Sequence, residues 1–439
     1  MFKTLKNAFK MADIRSRLLF TLGMLIVIRL GSQLPCPGVS GNVFSQWFEQ
    51  AGTSMDFFDA VTGGSFLDMS IFALNITPYI TSSIIMQLLT IAIPKLEEMH
   101  RDGEEGRKKI VEITRYVTIA LSLIESTAMA IGFGRSGYLT AFNALYVIQV
   151  IVTLTAGSAV LMWIGERITE KGVGNGISIV LTINIISRIP QDLGSLWEQF
   201  VAVEGKTIPK AVLAAVVIVA IIVFTIVLTV LLSTGLRKIP VQYSRKMQGR
   251  TMAGGAASEL PLKVNTAGVI PVIFAQSILQ TPVIIASLTG HRGGSGFWGK
   301  VLTGLSQSNW CNPEQPIYNI GLVVYIVLII AFAYFYTSIT FNPLEVADNL
   351  KRGGGSIPGI RPGKPTSDYL VKILNYVVFI GAVGLSIVSF IPIFFNGVFN
   401  ASVSFGGTSL IIIVGVITET LAQIESQMRE RHYKGFLDA

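Results

Sequence analysis

A chain of 439 residues that is 51% hydrophobic and only 14% charged, with a mean hydropathy of +0.60, is too apolar for a soluble domain, where about a quarter of residues carry charge. Three scattered histidines and two cysteines exclude a histidine-based metal centre and a disulfide framework. The formal net charge of +8 asks for an anionic counterpart, which lipid headgroups already supply.

Crossing a hydrocarbon core takes about 20 mostly apolar residues. Ten runs qualify, at about 18–34, 71–93, 115–133, 144–166, 176–189, 210–233, 264–289, 317–341, 370–394 and 408–427, the fifth being short. The start, MFKTLKNAFKMADIRSR, is basic and amphipathic, and the run behind it holds Arg29 but no small-residue cleavage site. It is predicted to stay as an uncleaved anchor, with Arg29 snorkelling from its outer end. Between the first and second runs lies AVTGGSFLD at 60–68, half apolar and broken by Gly63 and Gly64. Each glycine weakens a helix by about 1 kcal/mol relative to Ala, so composition alone predicts an external turn there. The third run carries Glu125, the one carboxylate well inside a span, while Glu419 lies about two turns before the end of the tenth. GVGNGIS at 172–178 precedes a span instead of following a strand, which argues against a phosphate loop. Cys36 and Cys311 fall in loops and are predicted to be unpaired thiols.

With the N-terminus inside, 27 Lys and Arg belong to the inner face and 6 to the outer, and Arg29 lies within the first span. The first outer loop, 35–70, has none. By the positive-inside rule both termini are then inside, and a missed span would blur this asymmetry. Ten spans divide into five and five, and an odd number per half sets the halves in opposite orientations. The predicted organisation is an inner amphipathic N-terminus (1–17), a first half (18–189), an external hinge loop (190–209), a second half (210–427) and an inner tail (428–439). The inner loops at about 234–263 and 342–369 are long and basic. In the second, three glycines at 353–355 permit tight turns, and Pro358, Pro362 and Pro365 restrict φ around Arg361. A constrained arginine of this kind suits a docking surface better than a solvated loop.

No GxSxG, HExxH or Walker pattern occurs, so the chain is not expected to be an enzyme, and no cofactor or metal is expected. Two classes remain. An ion-coupled secondary transporter would use Glu125; a passive gated conduit would take its driving force from a partner. The broken-helix candidates are rich in Ile, Val and Leu, which favours a hydrophobic constriction over a polar binding site.

Several stretches make the choice. SIFALNITPYITSSIIMQLL at 70–89, GVGNGISI at 172–179, LPLKVNTAGVIPVIFA at 260–275, NPLEVADNLK at 342–351, GIRPG at 359–363 and FGGTSL at 405–410 together resemble the SecY family, over the whole chain. That family forms the channel of the bacterial protein translocase. Asn75 departs from the pattern, which has Gly before the following isoleucine. The resemblance implies an all-α membrane protein of ten transmembrane helices, in two inverted five-helix halves around a central pore. It also implies a waist ring at Ile76, Ile80, Ile177, Leu181, Ile273 and Ile412. A plug is implied at about 56–69, centred on Ala60, Val61, Thr62, Gly63, Gly64, Ser65 and Phe66. Spans two and seven become the sides of a lateral gate, kinked at Pro78 and Pro271, with Thr81, Glu125 and Thr281 as a polar cluster across it. Arg245, Lys246, Arg250, Lys351, Arg352 and Arg361 become docking residues for the SecA ATPase and the ribosome. SecE and SecG are the implied subunits, and signal sequences, nascent polypeptides and membrane lipid the implied ligands. The implied location is the cytoplasmic membrane of a bacterium.

Overall fold

Ten long helices occupy the ten apolar runs, because a backbone in hydrocarbon must satisfy its own hydrogen bonds. The structure, a computed structural model, describes residues 8–39, 62–135, 137, 139, 142–201, 208–243, 246–248, 251–253, 257–288, 297–311, 313, 316–399 and 407–437. The first five helices are α1 (Ala12–Ser32), α2 (Thr77–Ala92), α3 (Glu104–Arg135), α4 (Ala144–Lys171) and α5 (Gly176–Leu196). The second five are α6 (Ile208–Thr234), α7 (Ile270–Leu288), α8 (Asn319–Thr340), α9 (Lys364–Phe399) and α10 (Gly407–Leu437).

Among the described residues, six helices are long and apolar enough to cross a membrane alone, or seven if α2 is joined to the short helix Pro94–Arg101 after a 105° bend. The remaining three are α1, α5 and α7, of which α5 and α7 contribute to the seam between the halves. α5 can afford Asn184 and Asp192 because both are buried against protein.

Three sequence expectations are corrected by the helix boundaries. Pro78 and Pro271 lie in the first turns of α2 and α7, where a missing N–H breaks no helical bond. They start these helices and do not kink them; the interior proline of α7 is Pro282. The supposed hinge loop at 190–209 is helical as far as Val201, since α5 continues into a π turn at Trp197–Val201. Leu196, Ile189 and Phe200 hold it against Ile218 and Ile222 of α6.

The long basic loop after α6 is not irregular either. β1 (Leu236–Tyr243) pairs antiparallel with β4 (Ala257–Lys263), and β5 (Gly355–Ser356) adds to the other edge of β1. A smaller hairpin, β2 (Lys246–Gln248) with β3 (Thr251–Ala253), extends from it. Ile239, Leu262, Ile357 and Leu370 pack beneath the sheet, so the two basic loops and the start of α9 form one unit. The alternation Ile239, Val241 between exposed neighbours is the strand signal that helix counting passed over.

The halves meet where α5 packs against α10, α3 against α7, and the π turn at Trp197–Val201 against α6. At the end bearing the chain termini, Ala8, Ile14, Val173 and Ile424 form a further core that ties α1 and the α4–α5 turn to α10. In that turn the Asn175 side chain caps α5 by accepting from the amides of Ile177 and Ser178. A Cβ on Gly176 would stand 1.9 Å from the Gly165 carbonyl oxygen, so the glycines of GVGNGIS serve close packing. Cys36 and Cys311 are free and belong to different cores, and burial pushes the Cys36 thiol up to about 11.

Candidate functional site: a sealed waist and its plug

Four of the six expected ring residues meet. Ile80 of α2, Leu181 of α5, Ile273 of α7 and Ile412 of α10 share one apolar cluster with Ile185 and Val416. Both halves of the molecule contribute, so the cluster lies on the seam between them. Ile76 does not belong to it. It precedes α2 as its N-cap residue and is fully buried among Ile28, Phe72, Leu161, Ile164 and Val180, in the core of the first half. Ile177 joins that same core but also reaches the cavity above the cluster.

That cavity, of about 530 Å³, is walled by α2, α3, α4, α5, α7 and α8. Ile80, Ile177 and Ile273 form part of its lining, and Arg115, Glu166, Glu170 and Asn175 supply its polar rim. Arg115 Nε donates to Glu166 Oε1 at 2.7 Å. A wetted vestibule therefore ends on apolar side chains that belong to the seam.

On the other side of the cluster sits the expected plug. Ala60 and Val61 lie outside the described residues. Residues 62–69 run as successive turns, with Gly63 and Gly64 at φ 68° and 86°. Phe66 and Met69 are buried against Met129, Ala130, Phe133 and Leu154 of α3 and α4. The segment touches α5 directly: a Cβ on Gly63 would lie 2.5 Å from the Asn184 carbonyl oxygen. The Gly63 carbonyl accepts from Arg29 Nη1 at 3.5 Å and lies 3.4 Å from Ser187 Oγ, whose proton goes to the nearer Asn184 carbonyl at 2.6 Å. Asn184 follows Leu181 by three residues, about 4.5 Å along the helix. The plug seat and the ring are thus adjacent turns of one helix.

Sequence reasoning missed three participants here. Arg29 does not snorkel; it reaches the Gly63 carbonyl and faces the charge of Asp68. Ser187 and Asn184 looked like ordinary polar residues of a span. An arginine within an apolar run was the one available signal, since such a charge normally has a partner inside the protein. The glycines also act differently from a simple weakening of a helix. Only glycine takes φ 68° freely and leaves room for the α5 backbone. Gly63→Val should therefore unseat the segment without disturbing the helices, and protease cleavage between residues 62 and 69 of the folded, unliganded protein should rise at least tenfold. Unchanged cleavage would show that the close approach is dispensable.

The expected gate cluster is not assembled. Thr81 donates to the Thr77 carbonyl at 3.1 Å and Thr281 to the Ser277 carbonyl at 2.6 Å. Each hydroxyl is satisfied within its own helix, the usual arrangement for threonine in an apolar segment. Among the described residues no hydrogen bond links Glu125 to either of them, although α3 and α7 do touch. Arg245 and Arg250 lie outside the described residues, and Lys246 is at the start of β2. Lys351 and Arg352 end the short helix Pro343–Arg352 and are exposed, as is Arg361. Arg361 stands in a folded loop. Ile357 to Ile360 is a turn with Pro358 and then Gly359 at φ 82°, closed by Ile360 N–H on the Ile357 carbonyl at 3.0 Å. Thr366 Oγ1 donates to the Arg361 carbonyl at 2.8 Å.

Two five-helix halves closing on an apolar waist, with a vestibule on one side and a seated segment on the other, define a membrane channel. Comparison with known proteins agrees. A family model named SecY matches residues 70–421. The protein translocase subunit SecY of Bacillus subtilis is 43% identical over 448 residues, covering all of both chains. A solved SecY channel, described as one whose plug domain stabilises the closed state and maintains a membrane seal, superposes with a TM-score of 0.65 at 18% identity, over 94% of this chain and 92% of that one. Sec61 in a canine ribosome–channel complex gives the same figures. The chain belongs to the SecY family. It is a protein-conducting channel subunit, with ten transmembrane helices in two inverted halves around a central pore, and not an enzyme; the comparisons give no support to an ion-coupled transporter.

Proposed function

We propose that unfolded polypeptides pass between α1–α5 and α6–α10, through a waist sealed at rest by Ile80, Leu181, Ile273 and Ile412. Residues 62–69 are the described part of the plug, which leaves when a polypeptide enters. One observation carries this reading: a single apolar cluster, built from both halves, stands between a polar-rimmed cavity and a separately packed, tightly turned segment. Apolar side chains offer no ligand to a hydrated ion and dewet when close together. They also yield to any passing sequence.

Membrane segments leave sideways, between α2 and α3 on one side and α7 on the other. The face carrying the termini and the β-sheet unit is cytoplasmic, in the plasma membrane of a bacterium, because that face holds most of the Lys and Arg. SecE and SecG complete the complex, and SecA and the ribosome dock on the sheet unit and on the loop of Arg361. The test is reconstitution with SecE and SecG in vesicles. ATP-dependent uptake of a secretory precursor with SecA is the expected result. A folded complex that moves no precursor, with SecA or with ribosomes, overturns it.

Glu125 is half-buried and, among the described residues, accepts from neither Thr81 nor Thr281, so it does not keep the gate shut through them. An ionisable side chain within a span is costly, so its replacement by an apolar one favours the closed gate. Glu125→Leu should tighten the gate and reject weak signal sequences that the parent accepts. Export of a precursor with a shortened apolar signal, relative to a full-length one, measures this; improved export of the weak precursor would reverse the assignment.

A further inference from the structure

Asn75 is one of three non-glycine residues with positive φ among those described, at φ 51°. Asparagine tolerates this conformation better than most side chains, yet glycine would take it with no strain at all. Something other than backbone freedom must favour the amide. The Asn75 Oδ1 accepts from Asn184 Nδ2 at 3.0 Å, and the Asn75 carbonyl accepts from Ser158 Oγ at 3.1 Å. Both asparagines are almost fully buried. Asn184 Oδ1 is itself buried with no hydrogen-bond partner. The main-chain oxygen of Asn184 accepts from Ser187 Oγ at 2.6 Å and forms the surface on which Gly63 rests. One turn of α5 therefore carries the amide pair on one side and the plug on the other.

The geometry points to Asn75 as a positioning residue for the plug. By tying the entrance of α2 to α5 at residue 184, it holds the turn of α5 that seats residues 62–66. The pair acts on the plug equilibrium because it matters in only one state. With the plug seated, each amide has the other as its partner in a dry site. Once the plug leaves, water reaches α5 and can replace that bond. An interaction stronger in the closed state shifts the population towards closure, and its loss shifts it towards opening. This inference rests on the reading of residues 62–69 as part of a plug.

The experiment uses the reconstituted complex with Cys36→Ser, Cys311→Ser and a reporter, Ser65→Cys, whose parental side chain is buried. A membrane-impermeant maleimide reports how often the segment is exposed. Buried interhelical hydrogen bonds of this kind correspond to about a three- to twentyfold effect. Asn75→Gly, which relieves the backbone while removing the amide, should raise the idle labelling rate by that factor. Asn75→Gly with Asn184→Leu should fall back towards the parental rate, because the buried Asn184 amide that lost its partner is then gone as well. If Asn75 mattered only for backbone conformation, Asn75→Gly would label at or below the parental rate, and that result overturns the inference. The parental reporter in a complex arrested with a precursor separates the two readings. If its labelling rises on arrest while Asn75→Gly stays parental when idle, only this inference falls. If idle and arrested complexes label alike, the plug reading falls and takes this one with it.

Discussion

Ile412→Asn should let ions through the idle channel. Ile412 is 4% exposed in the seam cluster, and an amide placed there without a partner disfavours the closed state by about 1–3 kcal/mol. At 1.4 kcal/mol per factor of ten, the resting open probability should rise about five- to hundredfold. Ile273→Asn should leak too, by a different balance. Ile273 already borders the vestibule, so its amide would be partly solvated and would disturb packing less. It would instead draw water into the constriction, which is the condition an apolar gate exists to prevent. Deleting residues 60–68 should add to either leak, because it removes Gly63 from its contact with α5 and leaves the Arg29 guanidinium without the Gly63 carbonyl. The measurement is single-channel conductance of the purified complex in a planar bilayer without substrate. The same variants should export precursors with defective signals. If ring and deletion variants stay as tight as the parent, Ile80, Leu181, Ile273 and Ile412 are not the seal.

The ten helices were legible from the sequence because a hydrocarbon solvent leaves few alternatives: a run of about 20 apolar residues must be a helix. Charge asymmetry then protected the count from error. The waist was not legible in the same way. An isoleucine in an apolar helix carries no mark that separates pore from core, and Ile76 shows the result. It lies four residues before Ile80, and Ile80 N–H does donate to its carbonyl, yet its side chain is committed to the first half. Family resemblance supplied the positions, and packing selected among them.

What escaped sequence reading was mostly polar and local. The grouping of Thr81, Glu125 and Thr281 came from the family resemblance, and nothing in their own sequence context required it. Helical threonines need only the carbonyl four residues back. A buried amide hydrogen bond instead joins Asn75, in the turn before α2, to Asn184 of α5, and of the two only Asn75 drew notice, as a departure from the family pattern. The strands after α6 were hidden by proline and by charge, since Pro240 and Pro261 interrupt the apolar alternation of β1 and β4. Yet Pro240 pairs with Glu259 and Lys238 with Pro261 in a regular register. Lys238 Nζ to Glu259 Oε2, at 2.8 Å, joins the two strands on an exposed face. Such a surface pair adds little stability. The sheet holds through Ile239, Leu262 and Leu370 beneath it.

Arg361→Glu should stop SecA-driven translocation while the channel still folds and inserts. The side chain is exposed, and its loop is built without it: the Pro358–Gly359 turn, the Thr366 hydroxyl on the Arg361 carbonyl, and Ile357 in the core of the sheet unit are all independent of the guanidinium. The substitution therefore changes charge and leaves shape alone. A fixed guanidinium with five donors suits a carboxylate or phosphate on a partner, and lysine cannot match its planar fork. A charge-assisted hydrogen bond contributes about 1.5–3 kcal/mol, roughly ten- to hundredfold in affinity, and glutamate adds repulsion to that loss. Arg361→Lys should keep part of the activity, and raising the salt should weaken the parental interaction more than that of the glutamate variant. SecA binding to vesicles and the rate of ATP-driven precursor uptake, at matched amounts of folded complex, measure the effect. The loss should appear in both. Loss of uptake with unaltered SecA binding would assign Arg361 to a later step of motor coupling, and normal uptake at normal expression would remove it from the docking surface.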